Sequence, residues 1–402
     1  MTSAEAPLQD PAVLRRLFLL DPDLVFLNHG SFGACPRPVV EVCQQWQREL
    51  ERNPVAFLGR RSGALLRAAR ERLAVYVGAA ADDLVFVPNA TTGVNIIARS
   101  LRLEPGDEIL TTDQEYGACD ATWRALCRRS GAVLRRVVVP LPFEPQTFVP
   151  RLMAGITART RLIFTSHVVS TTALVFPVAE LCAQARAAGV PTLIDGAHAP
   201  ALLDLDLAAI GADHYTGNCH KWLCAPKGSA FLHVRREHQA TLDGGVVSWG
   251  WLADELAEGG GGHTGFDAYV GSTPLERRLQ WQGTRDVAAF LSVPAAIDFL
   301  AAHDWLRHRQ RCRTRARALL HEVLVRNDRS PIGPEEDWTQ MVPIPVQAAD
   351  AEGLRHWLSE SRGIEVPVTQ HAGQTFVRVS VQAYTTEAEL AALVSALAEA
   401  GV

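Results

Sequence analysis

The segment from about residue 84 to 235 alternates short apolar runs with stretches of helical periodicity. The run LVFV (84–87) passes through the turn NATTG into VNIIARSL, a pattern typical of strand, turn and helix. Six further strand candidates follow: DEILTT (107–112), AVLRRVVVPL (132–141), RLIFTS (161–166), PTLID (191–195), ADHYTG (212–217) and SAFLHV (229–234). Repeated strand–turn–helix units predict an α/β fold in which helices cover both faces of a mostly parallel sheet.

The turns that follow these strands are the expected functional region. In open parallel sheets, ligands bind beyond the carboxyl ends of the strands, so each of these turns is a candidate wall of one site. The Gly-rich stretch 251–275 is predicted to form a mobile loop near the same face. Its residues His263, Phe266 and Tyr269 are candidates to shape a side-chain pocket, and a solvated loop is the alternative.

The pattern changes from about residue 291 to long helical stretches with two strand candidates, WTQMVPIPV (338–346) and TFVRVSV (375–381). This change predicts a smaller α+β C-terminal domain over 291–402. Before it lie an N-terminal arm (1–25) and a large domain (26–290). The amphipathic stretch 38–52 is predicted to be a helix that joins the two domains.

Composition narrows the class of protein. The hydrophobic and charged fractions, 48% and 21%, are those of an ordinary globular chain. A net charge of −5 argues against nucleic-acid binding. No apolar run reaches the roughly 18–20 residues of a membrane helix. The acidic, Pro-interrupted N-terminus is unlike a signal peptide, so a cytoplasmic location is expected. None of the eight cysteines forms a CxxC pair, and no metal site is predicted.

The basic residues are distributed unevenly between lysine and arginine. Of 39 Lys and Arg residues only Lys221 and Lys227 are lysines, and both fall in GNCHKWLCAPKG (217–228). Arg stays protonated, whereas Lys loses its proton in a suitable site and then condenses with a carbonyl group. The pattern therefore favours a Schiff-base lysine. A phosphate-binding lysine and two surface lysines are the alternatives, and the Walker sequence is absent.

Pyridoxal phosphate (PLP) is the commonest cofactor held by lysine, and its other contacts have candidates here. Asp195 ends the strand PTLID and suits the pyridinium nitrogen, and an N-cap for the segment that follows is the less favoured alternative. The turn Asn89–Gly93 opens a helix and offers backbone N–H groups and hydroxyls to a phosphate. Tyr116 is placed to cover one ring face. His198 shares the turn of Asp195 and suits the phenolic oxygen.

Several motifs, in order, resemble the class V aminotransferase family of fold-type I PLP enzymes, and within it the isopenicillin N epimerase-like group. They are FLNHGSFGACPRPV (26–39), NATTGVN, DQEYGA, SHVVSTTALVFPV, LIDGAHAP, GNCHKWLCAPKGSAFLHV, QGTRD and VRVSVQAYTTEAEL. The resemblance spans residues 24 to 400. This sequence departs from the family at Ser170-Thr171-Thr172, where many members have Asn, and at Tyr384-Thr385-Thr386, where relatives read Tyr-Asn-Thr.

The resemblance implies a role for individual positions. Lys221 would carry the cofactor and act in catalysis with Asp195 and His198. Tyr116 would stack on the ring, and Lys227 would have a structural or surface role. Other cofactor contacts are implied for Thr91, Thr92, Thr171, Asn218, His220 and Thr284. Thr284, in QGTRD, would reach the phosphate of a neighbouring subunit, which implies a homodimer. Substrate contacts are implied for Asn28, Gly30 and Arg378, the last binding the α-carboxylate.

The same resemblance leaves the reaction open among several chemistries. The expected activity is epimerisation or racemisation at the α-carbon of an amino acid. C–S lysis of an S-substituted cysteine and transamination are the enzymatic alternatives, and an inert binding protein on the same fold is the non-enzymatic one. A persulfide-carrying desulfurase is disfavoured because no cysteine follows Cys312.

Overall fold

The computed structural model describes residues 7–252, 271 and 273–402. The predicted pocket residues His263, Phe266 and Tyr269 lie outside the described residues. Twelve strands are found within the described ranges, and they are numbered here in chain order. They are β1 Val25–Phe26, β2 Leu84–Val87, β3 Glu108–Thr112, β4 Val133–Val137, β5 Thr160–Ser166, β6 Thr192–Asp195, β7 His214–Asn218, β8 Ala230–Val234, β9 Met341–Val346, β10 Ile364–Glu365, β11 Val368–His371 and β12 Gln374–Ser380.

A seven-stranded sheet with the order β2-β8-β7-β6-β5-β3-β4 forms the centre of the molecule. The pairs from β7 through β6, β5 and β3 to β4 are parallel, whereas β8 runs antiparallel to both of its neighbours. The predicted mostly parallel α/β sheet is therefore confirmed. Because β2 and β7 both oppose β8, the carboxyl ends of β2, β3, β5, β6 and β7 meet at one edge of the sheet.

Helices connect and cover these strands. The α-helices of the described residues are Pro11–Arg15, His29–Phe32, Arg37–Arg52, Pro54–Ala56, Ser62–Val77, Ala90–Ser100, Gly117–Ser130, Pro145–Ala154, Val178–Ala187, Leu207–Ile210, Arg236–Gln239, Pro274–Leu279, Ala288–Leu291, Val293–Ala302, Trp305–Arg326, Ala351–Arg362 and Glu387–Glu399. A π-helical stretch, Phe57–Arg61, and two 3-10 turns, Ala81–Asp83 and Glu335–Asp337, complete the set. None of the described helices is long and apolar enough to cross a membrane.

A second sheet lies in the C-terminal part of the chain. It is antiparallel, with the order β11-β12-β9, and β12 is the strand that carries Arg378. The N-terminal β1 pairs in parallel with β10, which ties residues 25–26 to this part. The helix Arg37–Arg52 matches the predicted helix 38–52 and packs against the helices Ala288–Leu291 and Val293–Ala302. The domain boundary near residue 290 stays a prediction.

Candidate active site

A cavity of about 590 Å³ opens at the sheet edge where the carboxyl ends of the strands meet. Its walls come from the turns after β2, β3, β5, β6 and β7, as expected for an open parallel sheet. Eight residues singled out in the sequence line it: Thr91, Thr92, Tyr116, Asp195, His198, Asn218, His220 and Lys221. The topology therefore brings most of the predicted cofactor contacts to one place.

Lys221 places its amine inside this cavity. Its Nζ lies 3.1 Å from Nε2 of His198. Burial, followed by the positive charge of Arg378, lowers the pKa of Lys221 to about 7, and Asp195 partly opposes that shift. A substantial share of the amine is therefore unprotonated near neutral pH, which is the state that attacks a carbonyl carbon or accepts a proton.

His198 is held on its other side by the indole of Trp222. The Trp222 Nε1 donates to Nδ1 of His198 at 3.4 Å, so the neutral imidazole carries its proton on Nε2. Burial, with Lys221 and Arg378 nearby, holds the pKa of His198 well below its ordinary value. His198 is therefore a neutral donor at Nε2, directed at the region in front of Lys221.

Asp195 lies at the end of β6, between the turns that carry Lys221 and Tyr116. Its carboxylate is buried and accepts from the backbone N–H of Ala197 at 3.0 Å and from the thiol of Cys119 at 3.4 Å. Burial raises the pKa of Asp195, while the Ala197 bond and Lys221 act against that rise. A protonated ring nitrogen is the kind of partner that would stabilise this buried charge.

The N-terminus of the helix Ala90–Ser100 forms the wall after β2. Asn89 caps it by accepting from Thr92 N at 2.8 Å, and Asn218 accepts from Ala90 N at 2.9 Å. Across the described chain, no acceptor is found for the N–H of Thr91, and its hydroxyl is likewise left for a ligand. A helix N-terminus with a spare amide and hydroxyl suits a phosphate group.

His220, which is neutral near pH 7, and the guanidinium of Arg378 are the remaining nitrogen-bearing groups beside the site. His220 lines the cavity with its Nδ1 at 3.0 Å from Ser229 O, and burial lowers its pKa to about 4. Arg378, on β12, does not line the described cavity itself but contacts two residues that do, because it donates to Ser31 Oγ at 3.0 Å and to the backbone oxygen of Ser170. Its Nε is buried without a hydrogen-bond partner, so the guanidinium retains capacity for an anionic ligand.

Four further predicted positions, like Arg378, do not line the described cavity. Asn28 donates to Glu365 at 3.1 Å, and the N–H of Gly30 donates to Ser380 Oγ at 3.1 Å, so both support the wall formed by Ser31. The Thr171 hydroxyl is buried without a partner, and its neighbour Ser170 faces the cavity instead. Thr284 is exposed on the surface.

Lys227 has a different environment from Lys221. Its Nζ donates to Gly33 O at 2.9 Å. Gly33 has φ +71°, and a Cβ there would lie 2.0 Å from His220 O, so only glycine permits this approach to the lysine turn. Lys227 therefore fastens the turn after helix His29–Phe32 to the segment that carries Lys221, in agreement with its expected structural role.

Sequence reasoning missed two groups next to the site. The carboxylate of Glu115 accepts from Thr112 Oγ1, Thr165 Oγ1 and both Ser166 N and Oγ, at 2.6 to 3.2 Å. Its pKa is raised to about 7, chiefly by burial. Cys119, the other group, contacts Asp195 from the helix Gly117–Ser130. A carboxylate beside Tyr116 in the turn DQEYG was the available signal for Glu115, and nothing in the sequence marked Cys119.

The arrangement fits PLP on its own geometry. The cavity combines a deprotonatable lysine, a buried carboxylate for a pyridinium, a neutral histidine donor and a helix N-terminus with a spare amide. When bound, this cofactor acts as an electron sink for the α-carbon of an amino acid. The fold and the site together define a PLP enzyme.

The chain belongs to the class V aminotransferase family, whose family model matches residues 25–393. It is 42% identical over 387 residues to the isopenicillin N epimerase of Streptomyces clavuligerus, covering 95% of this chain and 96% of that protein. It is also 29% identical to a probable chloroplastic L-cysteine desulfhydrase of Arabidopsis thaliana, covering 87% and 75% of the two chains.

Solved structures share the fold. A mutant of C-DES with glycine covalently linked to its PLP cofactor matches with a TM-score of 0.80 at 22% identity, over 96% of this chain and 99% of that one. The resemblance to the class V aminotransferase family, the α/β fold and the PLP cofactor predicted from the sequence are thereby confirmed.

Proposed function

We propose that the protein is an amino-acid epimerase that inverts the α-carbon of its substrate. The observation that carries this proposal is the position of Lys221, an amine of lowered pKa, in a cavity whose wall residues Ser31 and Ser170 accept hydrogen bonds from the buried guanidinium of Arg378. The 42% identity to an isopenicillin N epimerase supports inversion as the outcome.

In this proposal, each residue of the site has a defined role in binding or in proton transfer. Arg378 binds the substrate α-carboxylate and, by its charge, helps to keep Lys221 unprotonated. Lys221 holds the cofactor and then removes the α-proton as the general base. Asp195 would stabilise positive charge at the ring nitrogen, and His198, whose proton lies on Nε2, would donate to an oxygen on the ring. Thr91, Thr92 and Asn218, which line the cavity together with His220, would hold the phosphate end.

A C–S lyase acting on an S-substituted cysteine is the second candidate. The 29% identity to a probable L-cysteine desulfhydrase favours it, and such a reaction begins with removal of the same α-proton. A desulfurase that carries a persulfide on a mobile cysteine is poorly supported. Cys312 is fully buried in the helix Trp305–Arg326, and no cysteine follows it in the chain.

The reaction test uses the PLP-loaded protein in deuterated water with isopenicillin N and a panel of L-amino acids, including S-substituted cysteines. Epimerisation gives deuterium at the α-carbon together with inversion. Release of pyruvate and a thiol without inversion would replace the proposal with lysis. A stoichiometric change to the aminated cofactor would replace it with transamination, and absence of any exchange would favour an inert binding protein.

We also propose that the protein works as a cytoplasmic homodimer with shared sites. Thr284 is exposed and does not line the described cavity of its own chain, which suits a contact with the phosphate of a neighbouring subunit. Mixing Lys221→Ala with Thr284→Ala protein tests this arrangement. A shared site predicts recovery of activity, because one of the two mixed sites then has both native residues. Equal inactivity of the mixture would contradict it.

A further inference from the structure

We infer that Tyr116 is the second proton-transfer residue, acting on the face of the substrate opposite Lys221. This inference rests on the proposed epimerisation, which requires one group to remove the α-proton and another to return a proton from the other side. The strand order supplies the first argument. Lys221 follows β7 and Tyr116 follows β3, with β6 and β5 between them.

Neighbouring strands lie 4.7–4.9 Å apart, so β7 and β3 are separated by about 14 Å. Asp195 ends β6, which lies inside that interval and fixes where the cofactor ring belongs. Both Lys221 and Tyr116 line the same cavity. A substrate held over Asp195 thus has the amine on its β7 side and the phenol on its β3 side.

The hydroxyl groups on the wall formed by the turns after β3 and β5 leave only Tyr116 available for proton transfer. Among the described residues that line the cavity on the β3 and β5 side, the other hydroxyls are engaged. Ser166 Oγ donates to Glu115 at 2.7 Å, and Ser170 Oγ accepts from Arg378 at 3.3 Å. Tyr116 is 47% exposed, and its hydroxyl has no hydrogen bond within the described structure. The Tyr116 hydroxyl therefore carries the proton that is available for transfer on that side of the cavity.

The turn that carries Tyr116 is firmly held. Glu115, directly before it, accepts four hydrogen bonds from the ends of β3 and β5. Tyr116 itself is the N-cap of the helix Gly117–Ser130. The backbone of this turn is thus anchored to secondary structure on both sides, which limits where the Tyr116 ring can lie, and proton transfer requires such a set distance.

The proton balance is simple. From the L-epimer, the neutral amine of Lys221 takes the α-proton, and the Tyr116 phenol gives a proton to the opposite face. The D-epimer is released, with Lys221 protonated and Tyr116 as phenolate. Both groups then return to their starting states by exchange with water. The reverse reaction exchanges the two roles, so Tyr116 removes the proton of the D-epimer.

The test compares Tyr116→Phe with the wild-type holoenzyme, and Tyr76→Phe, which lies in a separate groove beside Trp305, serves as the matched control. In deuterated water, Tyr116→Phe is expected to retain α-deuteration of the L-epimer of isopenicillin N. Exchange of the D-epimer and inversion in both directions should fall by roughly 100-fold or more. Wild-type inversion by this variant would overturn the inference, as would equal loss of L- and D-exchange.

Two readouts separate this role from a structural one. The visible cofactor band of Tyr116→Phe should match the wild type, because the phenyl ring still covers the site. Nitration of wild-type Tyr116 by tetranitromethane, followed by peptide mapping, should be slower with PLP bound than without it. Unchanged nitration would place Tyr116 outside the loaded site and overturn the inference. Normal exchange of the L-epimer with lost inversion would support the role of Tyr116 and leave the proposed cofactor chemistry intact. Loss of the role of Tyr116 can therefore be told apart from failure of the proposed epimerase function.

Discussion

Lys221 Nζ lies 3.1 Å from Nε2 of His198, and His198 is in turn fixed by the Trp222 indole. The amine and imidazole are both neutral to a large extent near pH 7, because burial lowers the pKa of each. Two protonated groups at this distance would repel each other, and the lowered pKa of His198 alone is enough to avoid that repulsion. The reactivity of Lys221 should therefore depend on the charge of Arg378 and on the Trp222–His198 hydrogen bond.

The rate at which apoprotein binds PLP covalently should rise with pH through about 7. The reactive form is the neutral amine, and it becomes dominant above the lowered pKa of Lys221. Arg378→Gln removes a positive charge that lowers this pKa, so its midpoint should move to higher pH. Stopped-flow absorbance across a pH series measures the shift. Lys227→Arg is the control, and a midpoint that stays in place in Arg378→Gln would contradict the electrostatic explanation.

Trp222→Phe should retain the cofactor but slow α-hydrogen exchange by about tenfold, the size typical for loss of an outer hydrogen-bond partner. The substitution removes the donor that keeps the His198 proton on Nε2. Exchange in deuterated water, measured by NMR, gives the rate. Trp338→Phe alters a buried indole in a different cavity and should exchange at the wild-type rate. An equal loss in both variants would indicate general destabilisation instead.

Asn89→Ala should weaken PLP binding several-fold and lower the free energy of unfolding by about 1 kcal/mol, the usual cost of an N-cap. The Asn89 side chain holds Thr92 N and so shapes the turn that presents Thr91. Equilibrium titration of apoprotein gives the dissociation constant. Asp350→Ala removes a comparable cap, the acceptor of Gly353 N at 2.8 Å, away from the cavity. If both variants bind PLP equally well, the cap does not serve the cofactor.

Arg70→Ala should destabilise the fold by about 3 kcal/mol, because the buried carboxylate of Glu276 loses its buried charged partner and keeps only weaker compensation, such as the partly exposed Arg67 at 3.5 Å. The Arg70 and Glu276 side chains are ion-paired at 0% and 2% exposure. The urea midpoint measures the loss. Replacing both groups, Arg70→Met with Glu276→Leu, should bring the midpoint back toward the wild type. A double variant weaker than Arg70→Ala would show that the pair itself is a net source of stability.

The sequence predicted the central sheet well because its signal is local. Each buried strand of the sheet core is a short apolar run bounded by turns, and β2, β6 and β8 appear nearly where the runs lie. The candidate 132–141 shortened to Val133–Val137, because the edge strand ends before Pro140 and Pro142. The strand β11 was missed, since VTQH has no apolar alternation, and only pairing with β12 forms it.

The site residues could likewise be predicted only where their signal is local in the sequence. Lys221, Asp195 and His198 were predicted because their types are required by the chemistry and they follow strands that end at one edge. Glu115 and Cys119 depend on packing between β3, β5 and the helix Gly117–Ser130, which no local pattern encodes. Likewise, the choice of Ser170 over Thr171 at the cavity wall is decided by the backbone after β5.

Attachment of the cofactor to Lys221 can be tested directly, because the chain has only two lysines. The holoenzyme is reduced with borohydride, digested, and mapped by mass spectrometry for the pyridoxyl label. We expect the label on Lys221, with the visible band lost in Lys221→Arg and kept in Lys227→Arg. A label on Lys227, or a visible band that survives in Lys221→Arg, would contradict this expectation.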